Sequence, residues 1–325
     1  MNVGRSALVL GIAAAVSLSA CTSASTPKPA ATASATTTTA AASAPTPACA
    51  GPYSTPATAV TSFAPDATNL VAGTIPSDKF MKKIQNRGRL IAGVSADTLL
   101  FGFRNPFSGQ LEGFDIDMVR AVANEIFGNP NKISYKVLTY AQRIPALQSG
   151  AVDIVADVMT INCMRWTQID FSSEYFHAGQ RVLVSTASKA TGIQDLNGKK
   201  VCAAEGSTNI DELKNFPKVI TVPVPDISDC MVLFQQGSVD AVTGDDTVLA
   251  GFDAQDPYAK TVGPAFTSEP YGLGIAKGNT VFVQYVNAII QQMRVDGDWA
   301  RMYRKWLQPT GAVPAPPRAK YGRQP

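Results

Sequence analysis

LQSGAVD, Leu147 to Asp153, has a near copy further along the chain, FQQGSVD, Phe234 to Asp240. In each, a segment with helical spacing runs into a glycine, and a strand-forming stretch begins beside an aspartate. The two copies end two longer patterns. The first reads as strand Arg89–Ser95, helix Ile116–Phe127, strand Ile133–Leu138, helix Pro145–Ser149 and strand Asp153–Val158. The second reads as strand Lys200–Ala204, helix Ile210–Phe216, strand Val219–Val224, helix Cys230–Gln236 and strand Val239–Thr243. Such alternation predicts parallel sheets covered on both faces. Two similar units predict an α/β protein of two lobes. The cleft between them is the default ligand site, because open α/β sheets bind at the carboxyl ends of their strands.

The helix predicted over Ile116–Phe127 carries Ile116, Val119, Val122, Ala123 and Ile126 on one face, with Asp115 placed to cap it. Outside these patterns the composition changes. Arg5 precedes a short apolar run, Ala7–Val16, and small residues lead to Cys21. That run is too short to span a bilayer and has the layout of an export signal over residues 1–20. Thr22–Ala48 is nearly all Ala, Thr, Ser and Pro, so residues 21–75 are expected to be a disordered tether. Residues 309–325 read as a disordered Pro-rich tail carrying Arg318, Lys320 and Arg323.

The 325 residues hold 28 Lys plus Arg against 25 Asp plus Glu, a formal +3, with no basic run interleaved with aromatics. A nucleic-acid partner is therefore not expected. Four cysteines follow Cys21, and an even number in an exported chain suggests two disulfides. There is one histidine, His177, and no Cys-x-x-Cys spacing, so no metal site is expected.

Several segments, taken in order, resemble one family. Gly113-Phe114-Asp115-Ile116-Asp117-Met118 comes first. Thr160 to Arg165, followed by Ile169-Asp170-Phe171-Ser172 and Tyr175, comes next. Asp195-Leu196-Asn197-Gly198-Lys199, Asp240 to Asp245, Met293 to Gly297 and Tyr303 to Leu307 complete the series. Together they resemble the polar amino-acid binding proteins of bacterial ABC importers, over roughly Pro76 to Gln308. The small residues before Cys21 resemble a lipobox, which implies cleavage there and a lipid on Cys21. With it, the chain is most similar to the glutamine/glutamate-binding lipoproteins of actinobacteria.

The resemblance implies a two-lobed periplasmic-binding-protein fold of type II with two hinge strands. Lobe 1 would be residues 76–180 plus 272–308, and lobe 2 residues 181–271. It implies a monomer without a cofactor, anchored by lipid on the extracytoplasmic face of the membrane, that closes on an amino acid and delivers it to a permease. A sensor that docks on a membrane signalling protein is the alternative. An enzyme on the same fold, of dehydratase type, would need a spare acid/base pair in the cleft, and none stands out. By location in the implied lobe 2, Cys202 is expected to pair with Cys230, leaving Cys49 for Cys163.

A free amino acid needs a cation for its carboxylate and an acid for its ammonium, both nearly desolvated. Arg165 matches the family arginine for the α-carboxylate, where a planar fork takes two oxygens. Thr160 matches the hydroxyl of that loop, and Asp245 the carboxylate for the ammonium. Gly206-Ser207-Thr208-Asn209 precedes a helix, whose free N–H groups add an anion site. Read as residues alone, Arg165 equally fits a bridge to Asp170, Asp245 a helix cap, and Ser207 or Asn209 a cap as well. Tyr140, Phe101 and Phe103 are candidates to pack on the ligand's carbons, or else core. His177 reads as structural. Glu205 stands where the family often has Lys or Gln, and would either repel an acidic ligand or pair with a nearby cation. Arg143-Ile144-Pro145 matches a segment whose arginine takes the side-chain carboxylate of glutamate or aspartate. The expected preference is therefore an acidic amino acid, with asparagine or glutamine second.

Overall fold

A computed structural model describes residues 59–66, 70–307 and 312–324. Two five-stranded sheets share one strand order. In the first, Ile133–Val137, Leu90–Val94 and Ile154–Ala156 run parallel, followed by antiparallel Gly274–Ala276 and then Ile169–Phe171. In the second, Ile220–Val224, Lys200–Ala204 and Ala241–Asp245 run parallel, followed by antiparallel Gln180–Ser185 and then Ala259–Val262. The sheets are mixed rather than all parallel, which corrects the sequence expectation. Each antiparallel neighbour to the parallel strands comes from a late or early piece of chain, placed as the chain passes from one lobe to the other. Just before those two strands lie Phe176–Ala178 and Glu269–Tyr271, which pair antiparallel and form the hinge.

The repeated heptapeptide has the same structure twice. Gly150 and Gly237 have φ of 69° and 68°, the left-handed region in which a helix stops cheaply only at glycine. Asp153 and Asp240 then do one job. Asp153 accepts from the N–H of Ile91 at 2.8 Å and pairs with Arg87. Asp240 accepts from the N–H of Lys200 at 2.8 Å and pairs with Lys199. Each carboxylate thus stitches the start of its strand to the neighbouring parallel strand.

The helix Phe114–Phe127 buries Ile116, Val119, Val122, Ala123 and Ile126 as its spacing predicts. Each fully buried aliphatic chain of this kind contributes about 1.5–3 kcal/mol. Its cap differs from the expected one. Gly113 holds the N-cap position with no side-chain bond. The N–H groups of Phe114 and Asp115 donate to the carbonyls of Leu100 and Phe101, both at 2.9 Å. A Cβ on Gly113 would lie 2.1 Å from the Phe101 oxygen, so only glycine allows this approach. Asp115 is released to face the core. It accepts from the Val158 N–H at 2.8 Å and the Tyr175 hydroxyl at 2.6 Å. Burial pushes its carboxyl up to about 6.

The described parts of two segments expected to be disordered pack on the first lobe. Thr61–Ser62 pairs in parallel with Lys320–Tyr321. The Arg323 guanidinium lies 3.6 Å from the centroid of the Trp166 ring, and Trp166 donates to the Ala59 carbonyl at 2.6 Å. Low apolar content concealed this order, because a short strand pair and one cation–π contact leave little trace in composition. Cys202 and Cys230 are joined by a disulfide. Cys163 is disulfide-bonded as well. Its expected partner, Cys49, lies outside the described residues, as do Cys21 and the export signal.

Candidate functional site

The carboxyl ends of the parallel strands face one another across a narrow cavity. From the first sheet come Tyr140 and Arg143 after Ile133–Val137, Val158 and Thr160 after Ile154–Ala156, and Arg165 on the following helix Cys163–Gln168. From the second come Ser207, Thr208 and Asn209 after Lys200–Ala204, Ile227 after Ile220–Val224, and Gly244 and Asp245 at the end of their strand. Seven of the nine residues singled out for the ligand line this cavity: Tyr140, Arg143, Thr160, Arg165, Ser207, Thr208 and Asp245. Phe101 and Phe103 do not. Phe101 is fully buried, edge-on to Phe176 at 5.1 Å and to Tyr271 at 5.9 Å. Phe103 packs on Trp306 at 6.0 Å. Both are packing residues of the first lobe.

One end of the cavity is cationic. Asn162 caps the helix Cys163–Gln168 by accepting from the Arg165 N–H at 2.9 Å, which fixes where the Arg165 side chain starts. Its Nη1 donates to the Thr160 carbonyl at 2.7 Å, and its Nη2 to the Gly206 carbonyl at 3.1 Å. Burial, then the Arg143 charge, lowers the Arg165 guanidinium to about 9. Asp170, the alternative partner, pairs instead with Lys277 at 2.8 Å. Arg143 is the first residue of the helix Arg143–Gln148 and is 2 % exposed. It donates to the carbonyls of Tyr140 at 3.1 Å, Asp157 at 2.7 Å and Gly206 at 3.2 Å. Its guanidinium also lies 4.3 Å from the centroid of the Tyr140 ring. Both arginines therefore converge on the Gly206 carbonyl of the opposite lobe.

The surroundings of Arg143 are acidic. Asp157 is buried, and neither carboxyl oxygen has a hydrogen-bond partner. Burial pushes its carboxyl up to about 7; the Arg143 charge opposes that shift, while Asp115, Asp97 and Asp226 add to it. Glu205 faces solvent and forms no ion pair among the described residues.

The other end is anionic. Asp245 precedes the helix Asp246–Gln255 but makes no side-chain cap bond. Its oxygens accept instead from Asn209 Nδ2 at 2.7 Å and the Tyr271 hydroxyl at 2.6 Å. Burial raises its carboxyl to about 7, with the Glu269 charge adding to the rise. Ser207 is a cap: its hydroxyl accepts from the Ile210 N–H at 3.1 Å and donates to the Ala204 carbonyl at 2.7 Å. His177 is exposed and pairs with Glu174 at 2.6 Å.

Sequence reasoning missed Asp157, Glu269 and Tyr271, and read Asn209 only as a helix cap or part of a helix N-terminal anion site. The hinge strand Glu269-Pro270-Tyr271 is too short and too proline-interrupted to announce a buried acid. The one usable signal was alternation: residues 269 and 271 fall on the same side of a strand.

At Gly206 the second lobe lies against the backbone of Tyr140 and Ala141 in the first. The Gly206 φ is 74°, and a Cβ there would sit 2.6 Å from Ala141 Cα and 2.7 Å from Ala141 N. These are backbone atoms and cannot swing aside. Gly206→Ala is expected to hold the lobes apart, weakening ligand binding at least tenfold, given the about 1–3 kcal/mol of strain such a backbone carries. Titration calorimetry with small-angle scattering checks this; unchanged affinity and radius would show that the contact is dispensable.

Residues 90–309 match the bacterial extracellular solute-binding proteins, family 3. A glutamine-binding protein of Geobacillus stearothermophilus is 38% identical over 232 residues, covering 71% of this chain and 87% of that protein. The glutamate-binding protein GluB of Corynebacterium glutamicum is 31% identical over 238 residues, covering 69% and 80%. Among solved structures, an ancestral arginine-binding protein bound to glutamine superposes with a TM-score of 0.64 at 36% identity, covering 68% of this chain and 98% of that one.

Proposed function

Because this chain belongs to the bacterial extracellular solute-binding proteins, family 3, we propose that it captures a free polar amino acid and delivers it to an ABC importer. One observation carries the reading: one cavity is lined by both Arg165 and Asp245, each buried. That arrangement suits a zwitterion, whose two charges would otherwise lose their water unpaired. The α-carboxylate takes Arg165 and the place of the Gly206 carbonyl. The ammonium takes Asp245. Closure turns on the paired strands Phe176–Ala178 and Glu269–Tyr271, between lobes taken as residues 76–180 plus 272–308 and 181–271.

The side chain of the ligand is best an amide, reversing the order expected from Arg143-Ile144-Pro145. Arg143 already stands near two buried acids, Asp157 and Asp115. A second carboxylate would enter the field of Asp157, Asp115, Asp97 and Asp226. An amide oxygen would accept from Arg143, and an amide brings no second negative charge into that field. The relatives from Geobacillus and Corynebacterium, named for glutamine and glutamate, bracket this choice. Calorimetric titration of the mature protein with glutamine, asparagine, glutamate and aspartate tests it. An amide is expected to bind about tenfold or more tighter than its acid, from about 1.4 kcal/mol of like-charge penalty. A tighter acid would return Arg143 to the role of carboxylate receptor.

The membrane anchor is proposed as a lipid on Cys21, on the lipobox-like spacing before it. Cys21→Ala is expected to move the protein from the membrane to the soluble fraction. A variant that still sediments with membranes in detergent-free extract is held by something else.

A further inference from the structure

Glu269 is 3 % exposed, on the hinge strand Glu269–Tyr271. Its Oε2 accepts from Thr160 Oγ1 at 2.7 Å and from Thr208 Oγ1 at 2.7 Å, and its Oε1 accepts from Thr267 Oγ1 at 2.6 Å. Thr160 follows a strand of the first sheet, and Thr208 begins a helix of the second lobe, so one carboxylate ties both lobes to the hinge. Both threonines line the ligand cavity. A threonine hydroxyl has one proton and two lone pairs. With both protons directed to Glu269, each hydroxyl offers the cavity lone pairs alone. Two residues on, Tyr271 donates to Asp245, so the same face of the same strand also orients the acid.

We propose that Glu269 is the positioning residue of the ammonium subsite: it turns the Thr160 and Thr208 hydroxyls into acceptors, so that only a donor group fits there. This rests on the amino-acid reading above. It gives that reading a polarity. Without Glu269 the hydroxyls are free to point their protons inward and meet the ammonium with like charge. Glu269 also makes closure and recognition one event, because the Thr160 and Thr208 bonds hold together only when both lobes meet the hinge.

The test is a double-mutant cycle on ligand affinity, using glutamine as the probe. Glu269→Gln is near-isosteric: its oxygen can face the two threonines while its NH2 donates to Thr267 Oγ1. Folding is therefore expected to survive, as checked by circular dichroism and melting. The variant is expected to weaken glutamine binding about tenfold by loss of a charge-assisted interaction. Thr160→Val is expected to cost about ten- to a hundredfold. In a background with both hydroxyls removed, Thr160→Val with Thr208→Val, the Glu269→Gln cost is expected to shrink to about threefold or less, because both routes to the ligand are gone. Equal costs in both backgrounds, or no cost in the wild type, overturn the proposal. If the wild type binds no amino acid at all, the amino-acid reading fails first, and that outcome is distinct from an additive cycle in a protein that binds.

Discussion

Replacing Arg165 with alanine is expected to weaken binding of the preferred amino acid about a hundred- to a thousandfold, from the roughly 3–5 kcal/mol lost when one member of a buried ion pair is removed. The ligand's carboxylate would then be desolvated without a partner, and the Thr160 and Gly206 carbonyls would each lose a donor. Arg143 is no substitute. Its three hydrogen bonds, to the carbonyls of Tyr140, Asp157 and Gly206, hold it in place. Arg165→Lys keeps the charge but not the fork, and is expected to recover only part of the affinity. Melting should respond much less than binding, since Arg165 and Arg143 repel one another in the folded protein. Calorimetric titration and melting of the two variants check both halves. A large loss of stability with an affinity loss below tenfold would make Arg165 structural.

Asp245 is expected to make binding depend on pH. Its carboxyl is raised to about 7, first by burial and then by Glu269, so below pH 7 the folded protein holds a proton on it. An ammonium demands the ionised form. Binding below pH 7 therefore releases a proton, and affinity should fall by up to about tenfold per pH unit as the pH drops from 7 toward 5. Asp245→Asn removes the charge, abolishes that slope and weakens binding about a hundredfold or more at pH 8, where the wild type is ionised. Stability has the opposite sign. Asp245 and Asp157, both raised, contribute stability that is fully present below about pH 4 and lost as the pH rises through about 7. Titrations in two buffers of different ionisation heat count the proton released. A count of zero at pH 6, or a slope kept in Asp245→Asn, contradicts this role.

The two-lobed fold was readable because a repeat leaves its mark in residues that must be what they are. Gly150 and Gly237 stop helices in the left-handed region, and Asp153 and Asp240 bind neighbouring strand N–H groups. The one antiparallel strand of each sheet was not readable, since strand direction is set by where the chain crosses the hinge rather than by local pattern. Arg165 and Asp245 were legible as a pair through resemblance, whereas their partners were not. Tyr271 and Asn209 reach Asp245, and Glu269 reaches Thr160 and Thr208, from positions distant in sequence. The acids around Arg143 illustrate the same limit. The Arg-Ile-Pro segment was visible, but the buried Asp157 and the Asp97 and Asp226 charges that act on it come from three other segments. Phe101 failed for a simpler reason: an aromatic at a strand end looks the same whether it faces a ligand or Phe176 and Tyr271.

The most direct test is a crystal structure of the mature protein soaked or grown with glutamine. The Arg165 Nη2 to Gly206 oxygen contact, now 3.1 Å, is the distance to measure. With glutamine bound it is expected to lengthen beyond hydrogen-bond reach as the ligand's α-carboxylate takes its place on Arg165, with the ammonium on Asp245. A ligand bound elsewhere, or one seated with the Gly206 carbonyl still on both arginines, would contradict it.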